Sequence, residues 1–440
     1  MSTCSMNNLY AAVLGVCACM QGPGNNKPAA SKTVSRILQR INGTGVISSS
    51  NLKFYPDTCR DSIHKSLPGI YIHIPFCRQA CHYCNFHFST SLGLKEKMID
   101  AIIKEIELTA VESRPEKIST LYFGGGTPSI LSIGELTRIM DALKTRFDLS
   151  HVSEITLEAN PDDINDLKAR QWLNLGINRL SIGIQSFAEA ELKWMNRIHT
   201  AEESLRCIDD IRTAGFQNFS IDLIYGSPLL TDEDWKKNVS IVIEKNIPHI
   251  SCYALTVEPK TALDSMIARN KKEAVDPEKQ ARQFLLLMDW MQEAGYEHYE
   301  ISNFAKPGLR SRHNSSYWSG DTYYGFGPAA HAFDGQRRRW NIANNALYIQ
   351  SIEKGLIPYE EETLTATQQL NEYIMTSLRT LEGLDLNLVS DSFGEEKAAQ
   401  IRQASQPFAG TGKLVVGENS IVLTKEGKLF ADGIAADLFF

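Results

Sequence analysis

The sequence lacks a positive field: 45 Lys and Arg face 52 Asp and Glu, a formal net charge of −7. No basic surface of the kind that draws nucleic acid is therefore expected. It lacks an apolar run long enough to span a bilayer. It also lacks an even cysteine count. Nine cysteines, at positions 4, 17, 19, 59, 77, 81, 84, 207 and 252, do not read as a disulfide framework. Before Asp57 there is no acidic residue at all. The apolar segment from Leu9 to Met20 has no charge ahead of it, which gives a secretory signal little support. Lys27, Lys32, Arg36 and Arg40 without acids would suit an organelle transit peptide, and an over-extended start would look the same. Residues 1–66 are read as a poorly ordered extension outside the fold.

What is present is a regular alternation from Gly69 onward. Short β-branched and aromatic runs at 70–76, 119–123, 154–159, 179–187, 219–225 and 250–256 predict strands. Between them, apolar residues at helical spacing predict helices near 95–113, 133–147, 164–175, 201–214, 232–245 and 277–294. Gly176, Gly215 and Gly295 follow three of these helices, where the chain must often adopt positive φ. Thr200 and Glu203 fit a capping box. Six strand–helix units in series predict an α/β fold with a parallel sheet and right-handed crossovers. An incomplete TIM-type barrel and a doubly wound open sheet both satisfy the pattern. After about Ser302 the pattern breaks into expected loops. Residues 363–440 read as two helices, a hairpin around 413–424 and a short helix, the order of a winged-helix-like module. With twelve acids and six bases over 361–440, that module is expected to pack on the barrel and not on DNA.

Three of the cysteines fall within eight residues, Cys77, Cys81 and Cys84, just after the first strand. Thiolates at this spacing suit an iron–sulfur cluster or zinc in a reducing compartment. Three ligands leave one iron of a four-iron cube open, as a catalytic zinc keeps an open position. A zinc site would need a fourth ligand, for which His73, His82 and His87 are candidates.

The spacing CxxxCxxC with an aromatic residue, Tyr83, before its last cysteine resembles the defining loop of the radical S-adenosylmethionine superfamily. The resemblance implies a [4Fe–4S] cluster on Cys77, Cys81 and Cys84. The amino and carboxylate groups of S-adenosylmethionine would chelate the open iron. One electron then yields a 5′-deoxyadenosyl radical. It also implies an incomplete (β/α)6 barrel over 67–305. The glycine run Gly124, Gly125 and Gly126 and the polar residues Glu158, Gln185 and Asp222 stand near strand C-terminal ends, where parallel barrels assemble sites. The family resemblance carries S-adenosylmethionine contacts onto Tyr71, Gly125, Gly126, Thr127, Glu158, Gln185, Arg197 and Asp222.

Two later segments narrow the branch. His298 to Phe304, and the string His313, Asn314, Tyr317 and Trp318 (HNxxYW), together with Tyr324 to His331, resemble the HemW group of haem chaperones. That group is related to oxygen-independent coproporphyrinogen III oxidase. The resemblance spans about 69–440. It implies a haem site in the 306–362 loops, with His313 as a candidate iron ligand, His331 as a lesser one, and Tyr317 and Trp318 against the macrocycle. Arg310, Arg312 and Arg337 to Arg339 would meet the propionates. The oxidase pattern carries a fourth cysteine two residues on, where this chain has Phe86. The expectation is a haem chaperone with a haem-acceptor protein and an electron donor as partners, with transient membrane contact left open. It would work in the cytoplasm or, if 1–66 are a transit peptide, in the mitochondrial matrix or another organelle. Radical decarboxylation of coproporphyrinogen III is the alternative.

Overall fold

The computed structural model describes residues 66–109 and 115–440, so the N-terminal extension and its transit-peptide reading lie outside the described residues. Six strands form near the expected places: β1 Gly69–Ile74, β2 Thr120–Gly125, β3 Glu154–Ala159, β4 Arg179–Gln185, β5 Asn218–Tyr225 and β6 His249–Ala254. They pair in that order and all in parallel. The helices between them begin and end on local signals. The helix Ile133–Arg146 starts on a capping box in which the Glu135 amide donates to Ser132 Oγ at 3.2 Å and the Ser132 amide donates back to Glu135 at 2.7 Å. Its buried Leu136, Ile139, Met140 and Leu143 repeat at helical spacing and face the sheet. The expected Thr200–Glu203 box is present as well, and Gly176, Gly215 and Gly295 all have positive φ.

The segment from Glu297 onward holds strands where loops and a linker were expected after about Ser302. It adds β7 Glu297–Glu300, β8 Asn303–Ala305, β9 Tyr323–Phe326, β10 His331–Phe333, β11 Arg337–Asn341 and β12 Tyr359–Thr363 to the same sheet. The full order is β12-β11-β10-β9-β1-β2-β3-β4-β5-β6-β8-β7, with β9 parallel to β1. The end strands β12 and β7 do not pair, so the barrel stays open. These strands are only three to five residues long, too short for periodicity to reveal. One buried group secures the addition. Glu105, on the helix Lys95–Leu108, accepts from the Gly327 amide at 2.8 Å, Asn341 Nδ2 at 2.6 Å and the Tyr348 hydroxyl at 2.6 Å.

The described residues divide into two units, 67–317 with 321–363, and 318–320 with 364–440. The second unit carries the helices Ala366–Ser377, Leu386–Phe393, Glu395–Gly410 and Ala431–Asp437. Its three-stranded sheet has the order β13-β15-β14, from Leu384–Asp385, Ser420–Leu423 and Leu414–Val416.

Strand alternation decides what the barrel of the first unit encloses. One face of the strands is apolar and buried against the helices: Ile70, Ile72, Leu121, Phe123, Leu157, Leu180, Ile182, Phe219, Ile221 and Ile250. The other face is almost wholly polar or aromatic. Its cross-strand rows run Tyr71, Tyr122, Thr156, Arg179 and Asn218, then Glu158, Ser181, Ser220 and His249, then Asp222, Ser251 and Asn303. TIM barrels usually pack branched apolar side chains inside. Here the interior is a polar lumen, and Tyr71, Glu158, Gly183, Asp222 and Tyr253 remain partly exposed within otherwise buried strands.

Candidate cofactor site

The cysteine loop leaves the C-terminal end of β1 and is fastened at both ends. The Cys77 amide donates to the Ser89 carbonyl at 3.1 Å, and the Cys84 amide to the Cys81 carbonyl at 3.3 Å. Its middle is tied to the chain after β4. The His82 amide donates to the Met195 carbonyl at 3.1 Å, Gln79 Nε2 to the Asn196 carbonyl at 2.9 Å, and Asn196 Nδ2 to the Ala80 carbonyl at 2.8 Å. Tyr83 packs against a buried cluster of Met195, Ile224, Leu255 and Leu263. These contacts tie the loop to the chain that follows β4.

All three cysteines are free and partly buried. Burial pushes the Cys77 thiol up to about 11, with Cys81 adding and the Thr127 hydroxyl opposing. Burial likewise pushes Cys84 up to about 12, with Cys81 and Cys77 adding. Neighbouring thiols that resist ionisation together need a cationic centre to lose their protons. Among the described residues no three His, Cys, Asp or Glu side chains converge to hold one metal ion. One loop that presents three thiols suits a cube with one thiolate per iron. The histidines considered for zinc are engaged elsewhere: His73 Nε2 with the His87 carbonyl at 2.9 Å, His87 Nε2 with Asn345 at 2.7 Å, and His82 Nδ1 with Lys272 at 2.8 Å.

The residues expected to hold the nucleotide gather at the same mouth of the barrel. Gly126 and Thr127 donate their amides to the Ile74 and Phe76 carbonyls at 2.9 and 2.7 Å. A Cβ on Gly126 would lie 2.6 Å from the Phe76 oxygen, so glycine is required for this approach. Gly125 has φ +107 and a Cβ there would meet the His73 ring. Glu158 accepts from the Tyr122 hydroxyl at 2.8 Å and the Gly125 amide at 3.2 Å. Burial lifts its carboxyl to about 8, Asp222 adding and these two donors opposing. Burial lifts Asp222 to about 6 against hydrogen bonds from Ser251 and Ser181. Gln185 is buried at φ +69 on a bulge between β4 and β5, a conformation that costs a non-glycine residue energy and marks a constrained site. Tyr71 is hydrogen-bonded through its hydroxyl to His73 Nδ1 at 3.1 Å. Arg197 donates to Cys81 Sγ at 3.3 Å and to the Gly183 carbonyl at 2.6 Å. Its buried Nε has no partner among the described residues, a donor left over for a carboxylate. These features fit a cluster with a small zwitterionic chelator beside it.

Sequence reasoning missed Tyr122, Gly183 and Tyr253 in this lumen, and Asn160 just beyond β3. The signal was the strict polar/apolar alternation in strands β2, β4 and β6.

The HNxxYW string is a helix, Arg312–Trp318, and not a loop. It lies at the opposite mouth, by the first residues of β1, β2 and β3. His313 Nδ1 is hydrogen-bonded to Thr120 Oγ1 at 2.8 Å and Nε2 to the Tyr317 hydroxyl at 2.8 Å. Its ring stacks on Tyr122 at 5.0 Å and is 1% exposed. The buried Glu154 carboxylate accepts the Arg312 and His313 amides at 2.9 and 3.0 Å. Both ring nitrogens of His313, the candidate iron ligand, are thus hydrogen-bonded within the chain. Trp318 groups with the second unit, where the Arg379 guanidinium lies 5.6 Å over its ring. His331 is half-buried and tilted against Trp340 at 6.3 Å. The arginines expected at propionates also have partners. Arg310 pairs with Glu297 at 3.1 Å, Arg337 with Asp334 at 2.9 Å and Arg338 with Glu362 at 3.5 Å, while Arg339 stacks on Tyr359. Arg312 stands exposed.

Residues 71–240 match the family model of the radical SAM superfamily, and residues 364–430 that of the HemN C-terminal domain. Heme chaperone HemW of Bacillus subtilis is 32% identical over 372 residues, covering 84% of this chain and 98% of that protein. Heme chaperone HemW of Escherichia coli is 32% identical over 71% of this chain and 83% of its own. A mouse relative, radical S-adenosyl methionine domain-containing protein 1, mitochondrial, is 34% identical over 60% of each chain. Among solved structures, coproporphyrinogen III oxidase (HemN) from Escherichia coli, a radical SAM enzyme, superposes with a TM-score of 0.74 at 24% identity. It covers 85% of this chain and 90% of its own, which establishes the shared fold.

Proposed function

The chain belongs to the HemW group of the radical S-adenosylmethionine superfamily, and from that membership we propose that it is a haem chaperone. It carries a [4Fe–4S] cluster on Cys77, Cys81 and Cys84, takes S-adenosylmethionine at the C-terminal mouth of the barrel, and passes haem to an acceptor protein. When bound, the cluster supplies an electron to the sulfonium of S-adenosylmethionine. The chain's own residues do the holding. Arg197 Nε, buried and without a partner among the described residues, meets the methionine carboxylate, and the glycine run before Thr127 takes the amino group. Tyr71, Glu158, Gln185 and Asp222 line the lumen for the rest of the nucleotide.

The observation that carries the chaperone reading over the oxidase is the chain's similarity to HemW across 98% of the Bacillus protein, with Phe86 where the oxidase pattern has cysteine. Phe86 is 52% exposed and ligates nothing. A haem-acceptor protein and an electron donor are the partners this function needs. Its compartment keeps thiols reduced, which fits the free cysteines. Among the described residues no helix is long and apolar enough to cross a membrane. Cytoplasm is the proposed location, with the mitochondrial matrix as the alternative that mass spectrometry of the natural N-terminus decides.

The test is haem retention by anaerobically reconstituted protein in gel filtration, followed by transfer of the haem to an apo-haemoprotein. Loss of all haem on the column rejects the chaperone. Protoporphyrinogen formed from coproporphyrinogen III, reductant and S-adenosylmethionine would establish the oxidase instead.

A further inference from the structure

Two of the three cysteines are joined by an unbroken chain of side-chain hydrogen bonds. The Thr127 hydroxyl donates to Cys77 Sγ at 3.3 Å. Asn160 Nδ2 donates to Thr127 Oγ1 at 3.4 Å. Arg197 Nη2 donates to Asn160 Oδ1 at 2.7 Å, and Arg197 Nη1 donates to Cys81 Sγ at 3.3 Å. The path crosses four consecutive strand–helix units, since Cys77, Thr127, Asn160 and Arg197 follow β1, β2, β3 and β4 in turn.

Asn160 is the hinge of this chain because its amide is a donor on one side and an acceptor on the other. No other side chain of that size supplies both. A carboxylate would lose the donor to Thr127, and an aliphatic group would lose both bonds. Its backbone is fixed independently. The Asn160 amide donates to Ser129 Oγ at 3.3 Å, and its carbonyl accepts from the Asp163 amide at 3.0 Å. Pro161 follows and restricts Asn160 to the extended region it occupies, φ −91 and ψ 148. These backbone bonds fix the direction in which the side-chain amide leaves the chain.

We propose that Asn160 is a positioning residue that sets the reduction potential of the cluster by aiming a donor at each of two ligating sulfurs. Hydrogen bonds to a thiolate withdraw electron density from it and stabilise the reduced cluster, which raises its potential. The two side-chain donors reach Cys77 and Cys81. The inference rests on the cluster reading above.

The experiment is an anaerobic redox titration of reconstituted full-length protein, followed by electron paramagnetic resonance, with iron and sulfide measured on each sample. Asn160→Leu is expected to keep the wild-type iron and sulfide content. At the wild-type midpoint its reduced-to-oxidised ratio should fall about tenfold, which for a one-electron couple is about 59 mV. Thr127→Val should lower the midpoint in the same direction, and Thr127→Ser should restore it. A fully loaded Asn160→Leu with the wild-type midpoint overturns the proposal. If Asn160→Leu does not assemble a cluster, the Thr127 pair decides: an unchanged midpoint in Thr127→Val overturns it. Absence of iron and sulfide from the wild-type protein would instead overturn the cluster reading.

Discussion

The Tyr317 hydroxyl sits 2.8 Å from His313 Nε2, on the ring nitrogen that a metal would need. Nδ1 is already held by Thr120. A haem iron would therefore reach His313 only by displacing Tyr317, and Tyr317→Phe removes that competitor while keeping the ring. If His313 is the ligand, Tyr317→Phe should tighten haem binding in a Soret titration and His313→Ala should change the band. Identical Soret spectra and affinities in all three proteins would assign the iron to another residue.

Gly126 allows the chain after β2 to press against the cysteine loop. In Gly126→Ala the new methyl would lie 2.6 Å from the Phe76 carbonyl oxygen and 2.8 Å from its nitrogen, both backbone atoms that cannot swing aside. The expected outcome is a displaced Cys77 and a large loss of iron after reconstitution, with a cost on the order of 1–3 kcal/mol from overpacking. Wild-type iron content in this variant would show that the approach is not needed.

Glu105 is fully buried and satisfies three donors at once. Glu105→Ala leaves all three unsatisfied, which should cost about 3–5 kcal/mol in urea unfolding. Glu105→Gln keeps one acceptor oxygen and should cost less. Equal unfolding midpoints for wild type and Glu105→Ala would mean that the added strands β9 to β12 are held by packing alone.

Glu158 supplies a pH dependence. Its folded value of about 8 lies above its ordinary 4.5, so the folded protein binds a proton that the unfolded chain has released between those values. Stability contributed by this group is present below about pH 4.5 and is lost as pH rises toward 8. Glu158→Gln should flatten the fall in the urea midpoint of the cluster-free protein between pH 5 and pH 8. A slope equal to that of the wild type would remove Glu158 as its source.

The parallel strands, the helices and their caps were legible because each is a local pattern. Thr200 and Glu203 are three residues apart, and Cys77, Cys81 and Cys84 share one loop. Glu158 and Asp222 were legible as polar residues in apolar strands. Tyr122 and Ser181 were not, although they alternate on the same face, because alternation alone does not say which face is enclosed. The strands after Ser302 were lost to their brevity.

By itself, then, the sequence determined the order of the six parallel strands and their helices, the loop that presents three thiols and the family to which the chain belongs, all of which depend on neighbours in the chain. Only the tertiary structure decided that the polar strand face lines the barrel and that His313 lies across its base beside Thr120, 193 residues away in sequence. It also decided that Asn160 bridges donors aimed at two cysteines. Those relations arise when strands distant in sequence pair in one register, and no short-range pattern encodes that pairing.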